Sequence, residues 1–227
     1  MDPVPILLFA KAPVPGRVKT RLIPTLGEAG AALLAQELAE TCIAAAVTSG
    51  TGPVSLWGTP DCSHPFFVRM RRRHGVTLHT QEGGDLGERM DHALGEILHQ
   101  HSAALLAGTD LCHPTPGLFR AAAEVLCGAR VEATLAPSMD GGYVLIGLRH
   151  PHPGLFREIA WGTARVFSET LRRMEAQAIS YRLLPAERDL DTEADYVLWA
   201  GQKSGMSDPV GPYPCESTIE RLNCKDG

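Results

Sequence analysis

Short apolar runs alternate with helix-periodic stretches along most of the chain, and this alternation constrains the fold more than any single motif. The runs at 4–10, 53–58, 76–80, 103–108, 131–137, 143–148 and 179–184 predict strands. Between and after them, apolar residues recur at helical spacing over 28–48, 65–73, 87–100, 116–127, 163–177 and 191–202. Thr163 suits an N-cap for the fifth helix, and Gly128 a stop for the fourth. Such alternation predicts an α/β fold, a mostly parallel sheet with helices on both faces. It falters once. Strands 131–137 and 143–148 are separated only by Ser138 to Gly142. A parallel crossover needs about a dozen residues or more, so these strands are antiparallel or lie in different sheets, and the sheet is mixed. The pattern ends near Lys203. Residues 1–203 read as one domain and 204–227 as a poorly packed tail.

Open α/β sheets bind ligands beyond the carboxyl ends of their strands. Five unusual segments follow predicted strands: 11–22, 81–89, 108–116, 138–142 and 185–191. The first, KAPVPGRVKTRL, carries Lys11, Arg17, Lys19 and Arg21 and no acid. The protein as a whole has 26 acidic residues against 21 Lys and Arg, a net charge of -5. That balance argues against general nucleic-acid binding and makes a local basic cluster informative. The loop is not a Walker A motif, which needs Gly-Lys-Ser/Thr in sequence. Pro13 and Pro15 also remove amides that a phosphate cradle would use. Its cations are therefore expected to hold a polyphosphate through side chains; the alternative is a solvated basic turn.

Asp110, in the GTD that ends the fourth run, projects where Mg²⁺ could reach it. Asp189 and Asp191 are candidates for a second ligand, and a turn or cap role for Asp110 is the alternative. Zinc has no recognisable ligand spacing here, despite Cys112 and His113. In QEGGDLGER, Gln81 could read a base edge, Gly83 could end a strand, and Asp85 could cap a helix. In SMDGG, Gly141 and Gly142 make either a tight turn or a close approach for a substrate touching Asp140. Trp161 is a packing residue or a stacking surface. No nucleophile elbow is present, which leaves hydrolase chemistry without support.

Six scattered cysteines predict free thiols and, with no signal-peptide pattern, a cytoplasmic protein. Cys215 and Cys224 in the tail could alternatively pair. No run approaches the ~20 apolar residues of a membrane span.

KAPVPGRVKTRL, GDLGERM, GTD, DGGYVLIGL, WGT and DLDT occur in that order between about residues 5 and 200. Together they resemble a bacterial glycosyltransferase-A-like family related to 2-phospho-L-lactate guanylyltransferase and, more distantly, molybdenum cofactor guanylyltransferase. The resemblance implies a Rossmann-like nucleotide-diphospho-sugar transferase fold. It implies a triphosphate held at Arg17 and Lys19, a base near Gln81 to Gly87, Mg²⁺ (or Mn²⁺) at Asp110 and Asp191, and an acceptor at Asp140. Family members usually carry proline where this chain has Cys112, so the backbone past Asp110 is expected to run differently.

The expected reaction is transfer of NMP from a nucleoside triphosphate to a small phosphorylated acceptor. A phosphate oxygen is already a nucleophile, so cations and isolated carboxylates suffice without a dedicated base. Lys19 and Asp110 are the residues expected to act in catalysis. A glycosyltransferase using a nucleotide-sugar is the first alternative, although the mid-chain Asp110-Leu111-Cys112 lacks the usual second carboxylate. A non-catalytic nucleotide-binding protein is the second. The nucleobase, the acceptor and the oligomeric state stay open at this level.

Overall fold

The computed structural model describes residues 2–128 and 131–203. The expected tail, with Cys215 and Cys224, lies outside them. The strands are β1 (Ile6–Lys11), β2 (Val54–Thr59), β3 (Thr77–Thr80), β4 (Ala104–Gly108), β5 (Ala133–Pro137), β6 (Tyr143–Leu148) and β7 (Tyr181–Leu183). The helices are α1 (Ile23–Ser49), α2 (Pro65–His74), α3 (Leu86–Leu98), α4 (Pro116–Gly128), α5 (Val166–Ala176) and α6 (Glu193–Lys203).

All seven strands form one sheet in the order β3-β2-β1-β4-β6-β5-β7. Six run in one direction; β6 alone is antiparallel, pairing with β5 on one side and β4 on the other. The short connection at 138–142 therefore closes a hairpin. It also sets β6 between β4 and β5, strands adjacent in sequence direction but not in space. Central β1 is buried on both faces, which explains its unbroken ILLFA run.

Ile6, Leu8, Leu56 and Leu105 face one way and pack under α1, α2 and α4. Leu7, Phe9, Trp57 and Leu106 face the other way and pack under α3 and α5. A third cluster joins Leu22, Leu34 and Leu38 to Cys112, Leu190 and Trp199. It anchors the entry of α1 and the middle of α6 beside the segments that carry Asp110 and Asp191. The stretch Thr20–Ser49 is long and apolar enough to cross a membrane, in contrast to the reading of the sequence, but half of its most apolar window is buried inside the fold. Its many alanines serve close packing against α4 and the sheet.

Two helix starts differ from the sequence reading by three residues or more. The first helix begins at Ile23 and is broken at Gly27, whose φ of 69° and ψ of 168° are not helical. The fifth begins at Val166, because Thr163 makes a turn of its own: its hydroxyl donates to Ala160 O at 2.8 Å. Cys42, Cys62, Cys112 and Cys127 are free. Burial pushes the Cys42 thiol up to about 12 and, with help from Asp195, that of Cys112 up to about 11.

Candidate active site

The loops after β1, β4, β5 and β7 meet at the carboxyl edge of the sheet. Two connections fix their positions. Gln81 Nε2 donates to Trp57 O at 2.8 Å and to Ala10 O at 3.3 Å, tying the ends of β1 and β2 together. The segment 187–190 threads between the loops after β4 and β5. Leu190 N donates to Asp110 O, Cys112 N to Arg188 O, and Glu187 N to Pro137 O, each at 2.9 Å. A proline at 112 could not make the second of these bonds. This chain's Cys112 thus gives the backbone past Asp110 one more tie to the segment that brings in Asp191.

Lys19 sits at the centre. Its side chain is 5% exposed, and its Nζ lies 2.7 Å from Asp110 Oδ1 and 3.0 Å from Asp191 Oδ1. A third bond, of 2.6 Å, goes to Leu190 O. An ammonium has three donors, and Lys19 uses all three inside the protein. Burial pulls its pKa down, but the two carboxylates more than offset this and hold the amine above the ordinary lysine range. The Lys19 backbone is left-handed, with φ 46° and ψ 41°. A non-glycine residue held there costs about 1–3 kcal/mol, and such strain concentrates at functional sites. No feature of the sequence signals it.

The remaining cations of the first loop, Lys11, Arg17 and Arg21, have exposed side chains with no ion-pair partner among the described residues. They line a cleft of ≈ 350 Å³ together with Lys19, Asp110, Asp140 and Asp191. The structure thus gathers residues from four separate segments onto one charged surface.

A second acidic group overlaps the first. Asp140, Asp189 and Asp191 place ligand oxygens within 4.8 Å of one another. Burial, then Asp140 and Asp191, push the Asp189 carboxyl up to about 6. The all-carboxylate donor set matches hard divalent cations such as Mg²⁺ or Mn²⁺. Asp189 and Asp191, the alternatives for a second ligand, both stand at the site, Asp191 facing Lys19 and Asp189 facing Asp140.

SMDGG is a tight turn that also delivers a site residue. Gly142 N donates to Asp140 Oδ1 at 3.0 Å and to Ser138 Oγ at 3.1 Å, and Ser138 Oγ donates to Asp140. Gly141 has φ 92°, and a Cβ there would stand 2.3 Å from Ala164 O. Its missing side chain admits the 162–165 segment of the protein itself.

Gln81, Gly83 and Asp85 are not brought to the charged cleft. The Gln81 amide donor is taken up by backbone. Asp85 is the N-cap of α3, accepting from Glu88 N at 2.8 Å. Trp161 is half-buried and packs edge-to-face on Tyr143, with ring centroids 6.5 Å apart. It lines a smaller, mostly apolar pocket of ≈ 210 Å³ that shares Phe9, Asp140 and Gly162 with the charged cleft. That pocket has no signature in the sequence, because Phe9, Leu106 and Val144 look like any other core residues.

Residues 42–163, more than half of the chain, match the family described as "Uncharacterized protein conserved in bacteria" (DUF2064). The chain belongs to this DUF2064 family. No curated protein matches it. Among solved structures, one from Desulfovibrio desulfuricans G20 carries the provisional name nucleotide-diphospho-sugar transferase. It is 29% identical, with 90% of each chain covered and a TM-score of 0.79. The inositol-1-phosphate CTP transferase from T. maritima is 11% identical, with 92% of this chain and 99% of the other covered and a TM-score of 0.55. A Mycobacterium tuberculosis H37Rv protein solved in complex with manganese is 17% identical, with 87% and 97% covered and a TM-score of 0.51. This DUF2064 chain has the nucleotide-diphospho-sugar transferase fold expected from its motifs.

Proposed function

We propose that the protein is a divalent-metal-dependent nucleotidyltransferase that moves NMP from a nucleoside triphosphate to a small phosphorylated acceptor. One observation carries this reading. Lys11, Arg17 and Arg21 converge with Asp110, Asp140 and Asp191 on one cleft at the carboxyl edge of the sheet. A cleft lined by both cations and carboxylates suits a triphosphate accompanied by a metal ion. The manganese in a protein of similar fold and the CTP-using name of another support the same reading.

In this reading a phosphate oxygen of the acceptor attacks the α-phosphorus. A new P–O bond forms, the bond from the α-phosphorus to the bridging oxygen breaks, and pyrophosphate leaves with the electron pair. Lys11, Arg17 and Arg21 hold the triphosphate by charge-assisted contacts. Lys19 has a positioning role. Its buried ammonium keeps Asp110 and Asp191 at a fixed separation and offsets their mutual repulsion. Asp110 and Asp191, with Asp189 and Asp140 beside them, would hold the metal. Bound there, Mg²⁺ or Mn²⁺ supplies charge neutralisation of the phosphates. No dedicated base is needed, since the nucleophile is already ionised.

A pyrophosphate-release assay with Mg²⁺, each of the four common NTPs and a panel of phosphorylated small molecules tests the reading. Metal-dependent release that needs the acceptor is expected. Turnover of nucleotide-sugars with no pyrophosphate release would instead support glycosyl transfer. That second reading is favoured by the Asp189-x-Asp191 pair at the site and by the name of the Desulfovibrio desulfuricans structure.

A further inference from the structure

The apolar pocket beside the charged cleft differs from it in one decisive respect: no Lys, Arg or His lines it. Its apolar walls include Phe9, Met90, Leu106, Tyr143, Val144 and Trp161, and Ser138 and Thr163 are its uncharged polar lining. Its carboxylates are Asp140 and Asp189, both members of the acidic trio. A phosphate dianion buried in such a pocket would meet like charge and no counter-ion, an unfavourable placement. An uncharged ring would meet aromatic faces and aliphatic walls. At ≈ 210 Å³ the pocket exceeds the roughly 150 Å³ of an apolar cavity that takes benzene.

We infer that this pocket receives the body of the acceptor and that the body is uncharged, largely apolar and about one ring in size. The assignment of the occupant as acceptor rests on the nucleotidyl-transfer reading; the chemistry of the pocket does not. The acceptor's single phosphate then lies beyond the mouth shared at Phe9, Asp140 and Gly162, on the charged side, where the cleft's cations offset the carboxylates. Polar sugar phosphates, whose hydroxyls would lose water against Leu106 and Val144, are selected against.

Gly108, at the end of β4, provides the test. It lines the pocket, and a Cβ built on it meets nothing within 4 Å. Gly108→Leu therefore adds a side chain into the cavity without forcing the backbone. The experiment measures, by calorimetry in Mg²⁺, the affinities of benzyl phosphate, glycerol 3-phosphate and the NTPs for the wild type and for Gly108→Leu. The wild type is expected to bind benzyl phosphate at least about tenfold more tightly than glycerol 3-phosphate. The plugged variant should lose that preference and keep its NTP affinity. If Gly108→Leu does not fold, Trp161→Ala replaces it, with the same expected loss of preference.

Equal affinities for the two phosphates in the wild type would overturn the inference. So would a preference that survives the plug. Loss of NTP binding in Gly108→Leu would overturn it in another way, by placing the base in this pocket. A wild type that binds no NTP yet shows the plug-sensitive preference would uphold the pocket's chemistry while removing the nucleotidyl-transfer reading.

Discussion

The two neighbouring cavities at the sheet edge follow opposite physical rules. The larger is built from charge: Lys19 is buried between two carboxylates, while Lys11, Arg17 and Arg21 stay exposed. The smaller is built from core residues that stop short of filling their space, with Tyr143 and Trp161 as one wall. A charged ligand can be steered and held in the first but only a desolvated one in the second. Such a division lets one edge bind two chemically unlike molecules side by side. Asp140 belongs to both.

Substitutions should separate the two cavities. The largest effect is expected in the charged one. Asp191→Asn removes a carboxylate that pairs with Lys19 and stands within the acidic trio, and turnover with Mg²⁺ and NTP should fall by about a hundredfold or more. Lys19→Ala leaves Asp110 and Asp191 without their shared cation. Steady-state kinetics should show kcat/KM down by about tenfold or more, in line with charge-assisted bonds of about 1.5–3 kcal/mol. Wild-type kinetics in Lys19→Ala would remove its positioning role. Arg17→Ala should weaken NTP binding by up to about tenfold in a titration and leave acceptor binding alone.

Trp161→Ala should do the reverse, raising the acceptor KM severalfold with NTP affinity unchanged. If both variants weaken both ligands alike, the division between the cavities is wrong. The smallest effect is expected at Asp85. Asp85→Ala removes the N-cap of α3 and should cost about 1 kcal/mol in a denaturation experiment, with no change in NTP affinity. A lost NTP affinity there would return Asp85 to the nucleotide side, as its motif implies.

The same contrast explains what could be read from the sequence. The fold was legible because each strand and helix carries its own period, and the short connection Ser138 to Gly142 ruled out a parallel crossover, leaving an antiparallel pair or separate sheets. The charged cleft was legible in outline, since four cations without an acid stand out in a protein of net charge -5. Its inner arrangement was not. That Lys19 turns inward to Asp110 and Asp191 depends on a left-handed backbone and on the short ladder between 110–112 and 188–190. Both are tertiary facts with no local signature. Gln81 and Asp85 stand in a conspicuous motif, yet their side chains meet backbone groups that any strand end or helix start offers. The apolar pocket was illegible for the opposite reason. An unfilled space among Phe9, Met90 and Val144 is written with the same residues as a filled one.

The central claim is that the residues gathered around Lys19 form a site for a metal-bound triphosphate. It is tested most directly by titrating NTP into the wild type and Asp110→Asn, each with and without Mg²⁺. Mg²⁺ should tighten binding to the wild type and have no effect on the variant, while the metal-free affinities of the two stay within a few-fold of each other. Equal tightening by Mg²⁺ in both proteins, or none in the wild type, would contradict the account.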